Sequence, residues 1–303
     1  MIRKNNIELR QLRYFLVVAE EMHFGRAAKK LHMTQPPLSQ TIQGLEASLG
    51  TSLFTRSTRS IALTPAGLAL IPEARRLLEQ AQSLPQLVQR AASGETGHLS
   101  LAFVSIADYS ILPPYLREFR QRYPEVRIEL REATSDVQLQ LLENAEIDAG
   151  ILIPPIPERL AASLVHQKVL SEPLILAVPE THAKRKNAAS LHSYKDLPLI
   201  IFPRKIAPAL YDTIFACFRT EGLTPAIGQE AIQMQTIVGL VSAGMGIALV
   251  PQSVSNLKRH GVIYHALPAL HGKVEIDIAW RKENSSPVLK TFLALLKNQE
   301  NFT

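Results

Sequence analysis

One cysteine, Cys217, stands in 303 residues, so no internal disulfide can form and a reducing compartment is expected. It lies in the apolar run 214–218, where a packed thiol is expected rather than a reactive one. The nine histidines are scattered, with no His pair, Cys/His cluster or H-E-x-x-H, which excludes a recognisable metal site. Long apolar runs are missing too. The longest, 237–250, is interrupted by Gly239, Ser242, Gly244 and Gly246, so no membrane span is expected. The opening MIRKNNIELR has no apolar signal segment, and a cytoplasmic location is the expectation. Enzyme motifs fail on position. Gly244, Met245 and Gly246 follow a helical pattern and precede a strand, the reverse of what phosphate binding requires. The run G-L-V-S-A-G at 239–244 is one residue off a nucleophile elbow. No catalytic role is assigned to any residue, and no cofactor is expected.

What is present is a folded composition, 46% hydrophobic and 20% charged, with length for two or three domains. The net charge of +6 is unevenly placed: residues 1–63 carry nine Lys/Arg against four Asp/Glu, and the last 211 residues balance to zero. A basic small domain beside a neutral large one is the footprint of a nucleic-acid binder with a second function. Within the basic part, residues 24–49 read as two helices joined by a tight turn. Phe24, Ala27, Ala28 and Leu31 repeat at helical spacing; Thr34 suits an N-cap, and Pro36 and Pro37 suit a first turn. Leu38, Ile42, Leu45 and Leu49 mark the buried face of the second helix. Gln35, Ser39, Gln40 and Gln43 fall near its start or off that face, as a helix that reads base edges requires. A plain helical hairpin with a solvated polar face is the competing reading.

Leu9, Leu12, Phe15, Leu16 and Ala19 predict a further amphipathic helix. Leu53 and Phe54, the polar stretch 55–60 with Arg56 and Arg59, and then 61–63 form a short hairpin pattern with arginines at its tip. Thr64-Pro65 starts a helix running to about 92, with Leu68, Ile71, Leu78 and Ala81 as a seam for a second copy. Pro85 should kink or end it, and 93–97 reads as a flexible hinge. Strands at 99–104, 127–131 and 149–153 then alternate with helices at 112–122 and 137–144, which predicts a parallel sheet. Strands at 174–178, 199–202, 247–250 and 275–280, with helices at 209–220, 235–243 and 287–296, predict a second lobe whose chain returns to the first. The cleft between such lobes is a ligand site.

Residues 8–67 resemble the DNA-binding domain of the LysR-type transcriptional regulators. The match rests on Ala27, Ala28, Leu31, Thr34, Gln35, Pro36, Pro37, Leu38, Ser39, Ile42, Leu45, Glu46, Leu49, Gly50, Leu53, Phe54, Arg56, Leu63, Thr64 and Gly67. It continues through the linker helix, the two-lobed domain, the segment 239–246 and Val250-Pro251. A narrower likeness, carried by 103–105, 112–114 and 202–204, is to regulators of acetoin synthesis and of catechol, chlorocatechol and benzoate degradation. The resemblance implies an all-α winged helix-turn-helix at 1–63, a dimerising linker helix at 64–92 and a hinge at 93–97. It implies an α/β two-lobed effector domain at 98–303 (periplasmic-binding-protein-like), with lobe I at about 98–167 and 269–303 and lobe II at about 168–268. It further implies a homodimer or homotetramer, most simply an activator, that binds promoter double-stranded DNA, works with RNA polymerase and answers to a small-molecule co-inducer.

By position, the resemblance places Gln35, Pro36, Pro37, Ser39, Gln40 and Gln43 in the major groove and Arg56 and Arg59 on the wing. Relatives often carry Arg at the position of Gln40; glutamine pairs with adenine where arginine pairs with guanine, so an altered base preference is expected. For the effector, Ser105, Ser135, Pro203, Arg204 and Gln235 are the candidates, with hydroxyls and helix-start N–H groups suited to a carboxylate or other small anion. Ordinary strand-end and N-cap roles remain open for Ser105 and Ser135. Several relatives place an arginine where this chain has Ile153, so Arg204 or Lys205 substitutes for that cation or the ligand is less charged. A cytoplasmic small-molecule binding protein of solute-receptor fold, without promoter function, is the alternative; the basic amino-terminal domain opposes it.

Overall fold

The computed structural model describes residues 7–56, 61–182, 184–185, 187–267 and 272–299. It divides into two compact units, Met1–Gln89 and Arg90–Thr303.

The first unit contains α1 (Leu9–Glu21), α2 (Phe24–Lys30), α3 (Gln35–Leu49), the hairpin β1 (Phe54–Arg56) and β2 (Ile61–Leu63), and most of α4 (Pro65–Ala92). Leu12, Phe15 and Val18 of α1 meet Ala27 and Ala28 of α2 and Leu38, Ile42 and Leu45 of α3 in one core. The alanines keep α2 thin, so α1 and α3 both close on it. Phe15 and Phe24 each pack on Phe54, at ring-centroid distances of 5.6 and 6.0 Å, which fastens the hairpin to the helices. The chain turns into α3 at Thr34, which has N-cap geometry but whose hydroxyl makes no cap bond. At the next helix start the cap is made: Gly67 N–H donates to Thr64 Oγ1 at 3.0 Å, and that hydroxyl donates to the Ser52 carbonyl at 2.7 Å. Gly67 is required there, because a Cβ would lie 2.3 Å from the Leu53 carbonyl oxygen.

Two sequence expectations for α4 are corrected. The helix does not end at Pro85 but runs on through both Pro72 and Pro85, although an interior proline costs roughly 3 kcal/mol. Its apolar residues also do not share one seam. Ile71 and Leu78 pack, with Leu70 and Ala74, on the core of their own unit. Leu68, Leu77, Leu84, Leu87 and Val88 stay exposed.

The second unit opens with β3 (Thr96–Phe103), α5 (Ser105–Tyr109), α6 (Leu112–Arg122), β4 (Glu125–Glu132), α7 (Ser135–Glu143), β5 (Ala149–Leu152) and α8 (Glu158–Ala161). The sixteen-residue strand β6 (Leu164–Pro179) follows, then β7 (Leu199–Ile201), α9 (Pro208–Thr220), β8 (Ile227–Glu230), α10 (Met234–Ser242), β9 (Ala248–Pro251) and β10 (Val262–Ala266). β11 (Lys273–Arg281) and α11 (Pro287–Gln299) complete it. The principal sheet has the order β10-β6-β11-β5-β3-β4, with β9 also on β6. It is mixed rather than parallel: β3 runs parallel to β4 and β5, while β11 runs antiparallel to β5 and β6. The reason is the return path. β11 enters from the second lobe and fills the slot between β5 and β6, so it meets both head to tail.

β6 belongs to both lobes. It pairs with β11 as far as Pro173, and from Leu174 onward with β9 and β10. At this exchange of partners Glu172 is buried, its carboxylate accepting from Ser253 N–H and Ser253 Oγ at 2.7 Å each. Within the stretch 93–97, residues 93–94 turn and β3 begins at Thr96; Gly94 (φ 76°) has backbone so near Pro287 that a Cβ would lie 2.5 Å from its carbonyl oxygen.

Candidate functional site

Two constellations carry chemistry, one in each unit. In the first, Leu38, Ile42 and Leu45 turn α3 so that Gln35, Pro36, Pro37, Gln40 and Gln43 are exposed and Ser39 is half-buried. Their exposure follows from the three-and-four spacing of the buried residues, and no acidic side chain occupies the first turn of α3. The preceding helix start is capped by His23, whose Nδ1 accepts from Gly25 N–H at 3.0 Å and Arg26 N–H at 3.3 Å. That cap fixes the turn from α1 into α2, and the sequence pattern had not singled it out. Arg56 closes the β1–β2 hairpin opposite Ile61 through its backbone. Its side chain, and the whole of Arg59, lie outside the described residues.

In the second unit, a cleft opens between the lobes at the carboxyl ends of β3, β4 and β5. Its apolar wall includes Val104, Ile106, Ile153, Phe202, Ile206 and Leu210. Its polar lining is Ser105, Glu132, Thr134, Ser135 and Gln233. The starts of α5, α7, α9 and α10 all border it, because Val104, Thr134, Ala207 and Gln233 are the respective N-cap residues. First-turn N–H groups lack an acceptor within their own helix and carry the positive end of the dipole. An apolar pocket rimmed by helix starts therefore favours a small molecule with one electron-rich end.

The five effector candidates have different surroundings. Ser105 and Ser135 line the cavity. Ser135 Oγ also accepts from Ile153 N–H at 3.0 Å, tying the start of α7 to the end of β5. Gln235 stands in the first turn of α10 and shares the Tyr109 phenol with Ser105, so this trio reaches from one lobe to the other. Burial pushes the Tyr109 phenol up, and those two hydrogen bonds pull it back in part. Asn256 Nδ2 donates to the Tyr109 carbonyl at 2.8 Å, a second tie between lobes on the same residue. Pro203 and Arg204 are not among the lining residues. The Arg204 guanidinium forks onto the exposed carboxylate of Asp212 at 2.8 and 2.7 Å, which spends its charge away from the cleft. Lys205 is exposed and is not a lining residue either. Sequence reasoning missed Tyr109, Glu132, Thr134 and Gln233. The available signal for the last three was their place at strand ends and helix starts.

Among the described residues no helix is long and apolar enough to cross a membrane, and no group of His, Cys, Asp and Glu could hold a metal. A winged helix-turn-helix with a polar, exposed third helix, together with a two-lobed domain around a ligand cleft, defines a ligand-responsive DNA-binding regulator. Residues 9–68 match the family described as bacterial regulatory helix-turn-helix protein, lysR family, and residues 92–301 match the LysR substrate binding domain. The chain belongs to the LysR family of transcriptional regulators. It is 44% identical to the regulator IlvR of Caulobacter vibrioides, covering 96% of this chain and 97% of that one. It is 40% identical to AlsR of Bacillus subtilis, covering 98% of each. The crystal structure of CbnR complexed with its target DNA superposes with a TM-score of 0.84 at 31% identity, covering 96% of this chain and 99% of that chain. BudR of Raoultella terrigena is a further relative, 35% identical over 95% of this chain and 100% of that one. The family consists of DNA-binding regulators with a small-molecule domain, not of enzymes.

Proposed function

We propose that this chain is a cytoplasmic activator that holds promoter DNA through α3 and the β1–β2 wing and changes its grip when a small molecule fills the interlobe cleft. The observation that carries the reading is the cleft itself, apolar on its walls and bordered by helix starts. The effector's polar or anionic end lies against Ser105, Ser135 and Gln235, and its body against Phe202, Ile206 and Leu210. Pro203 and Arg204 shape the second lobe beside it rather than touching it. On DNA, Gln35, Pro36, Pro37, Ser39, Gln40 and Gln43 face the major groove, and Arg56 and Arg59 reach phosphates or the adjacent minor groove.

The domain scheme is a winged helix at 1–63, a linker helix at 64–92 and an effector domain from about 98. The exposed stripe of α4 joins two copies into a dimer, from which a tetramer is assembled that engages RNA polymerase. Pro85 supports the pairing: among the described residues nothing packed on the stripe offsets its cost, whereas near Pro72 the side chains of Ile71 and Ala74 pack on the core of their own unit. Footprinting on the DNA upstream of the gene and of its divergent neighbour tests the function. Specific binding should exceed binding to random duplex by about 10³-fold or more, and a panel of small carboxylates should include one that alters the footprint. Equal affinity for both DNAs would sink the reading.

A further inference from the structure

Glu132 is the one acidic or basic side chain among the described residues that line the cleft. It ends β4, beside the start of α7, and none of the ion pairs among the described residues involves it. Among the described residues neither lysine nor arginine lines the cavity; Arg204 is committed to Asp212. Glu132 is exposed at the rim of the cleft, and a ligand that covered it without bringing a positive charge would take its carboxylate out of water unpaired, which is costly. A dicarboxylate would add repulsion and find no cation.

We infer that the effector is an α-amino acid with an apolar side chain, its ammonium held by Glu132 and its carboxylate by the start of α7. The inference rests on the cleft being the effector site and names the chemical class that fits it. The spacing of the polar groups carries it. Glu132 lies two residues before Thr134, the N-cap of the nine-residue α7, and three before Ser135. An α-amino acid presents both charges on a single carbon, so adjacent anionic and amide-rich points on one segment match its head. Beyond that head the wall is aliphatic and aromatic, with Val104, Ile106, Ile153, Phe202, Ile206 and Leu210 to receive the side chain. The first-turn N–H groups of α10, across the cleft, suit the outer carboxylate oxygen as the lobes close.

Calorimetric titration of the full-length protein tests this with L-leucine, L-valine and L-phenylalanine, each set against its deaminated acid and its decarboxylated amine. At least one amino acid should bind, about tenfold or more tighter than either truncated twin. Glu132→Gln should weaken that amino acid by about tenfold and erase its advantage over the deaminated acid, with the unliganded melting temperature reporting that the fold survives. Deaminated acids that bind as well as the amino acids, an unchanged affinity in Glu132→Gln, or no amino-acid binding at millimolar concentration would each overturn the inference. Ile206→Trp, which fills the cleft, separates this from the underlying reading. If acids bind better than amino acids and Ile206→Trp abolishes their binding, the ammonium anchor falls and the cleft stands. If ligands bind equally well to Ile206→Trp, both fall.

Discussion

Gln43 and Ser39 lie one helical turn apart on α3, the first exposed and the second half-buried. In the proposed docking this arrangement would aim Gln43 outward into the groove and let Ser39 reach a base edge or phosphate from its flank. Replacing either by Ala should alter which sequence is preferred more than how tightly duplex is held, with about 1–3 kcal/mol lost on the cognate site. Competition between cognate and shuffled duplexes measures it, and equal losses on both would reduce these residues to positioning roles. Glu172 makes a different residue-scale case. Burial raises its carboxyl from the ordinary 4.5, while the two donors of Ser253 oppose that shift. A raised acid holds its proton more tightly when folded than when unfolded, so its contribution to stability is full below the ordinary value and is lost as pH climbs through the folded value. Glu172→Gln has no such loss. The melting temperature of the native chain minus that of the variant should therefore fall between about pH 4 and neutrality; a flat difference would mean the carboxylate is not perturbed.

At the scale of elements, α4 separates two uses of one helix. Ile71, Ala74 and Leu78 are spent on the first unit's core, while Leu77, Leu84 and Val88 form a stripe that is 41, 55 and 62% exposed. Leu77, Ala81, Leu84, Val88 and Ala91 follow at alternating steps of four and three, the period of a paired helix. Leu84→Asp with Val88→Asp should leave a folded monomer by sedimentation and cost about 10²-fold in affinity for an interrupted palindrome, as half-sites become independent. A variant that still sediments as a dimer would refute the stripe. The sequence pattern found this helix and its Thr64-Pro65 start because caps are local chemistry. It merged the two faces because a heptad seam and a core-facing face differ by only a fraction of a turn. The same limit explains β6. Its second half, a continuous buried run, was legible at 174–178. Its first half alternates exposed His166 and Lys168 type positions with partly buried ones and resembles a loop without knowledge of β11. The five-residue α5 and the wholly exposed β8 carry no periodic signal at all.

For the whole molecule, each unit has a core of its own, around Phe15 and Leu38 in one and around Leu99, Ile151, Leu176 and Phe292 in the other. A fragment starting at residue 90 should therefore fold, keep the thermal response of the full chain to its effector, and show no affinity for the promoter. Retained DNA binding by that fragment would contradict the division of labour. The division was legible from charge placement alone, since the surplus of basic residues ends with the winged domain. The interior of the cleft was less so. Ser105 and Ser135 were found from a strand end and a helix start, but Tyr109 depends on which lobe faces which, a fact set by a return path that no local pattern encodes.

That return path gives β6 its sixteen residues, a rod of about 50 Å when extended. One end is built into each lobe's sheet. A rod clamped at both ends resists swinging open like a door and yields most readily about its own length. In the proposed response to a ligand the lobes would therefore close by twisting about β6, and what is passed on would be an angle rather than a gap.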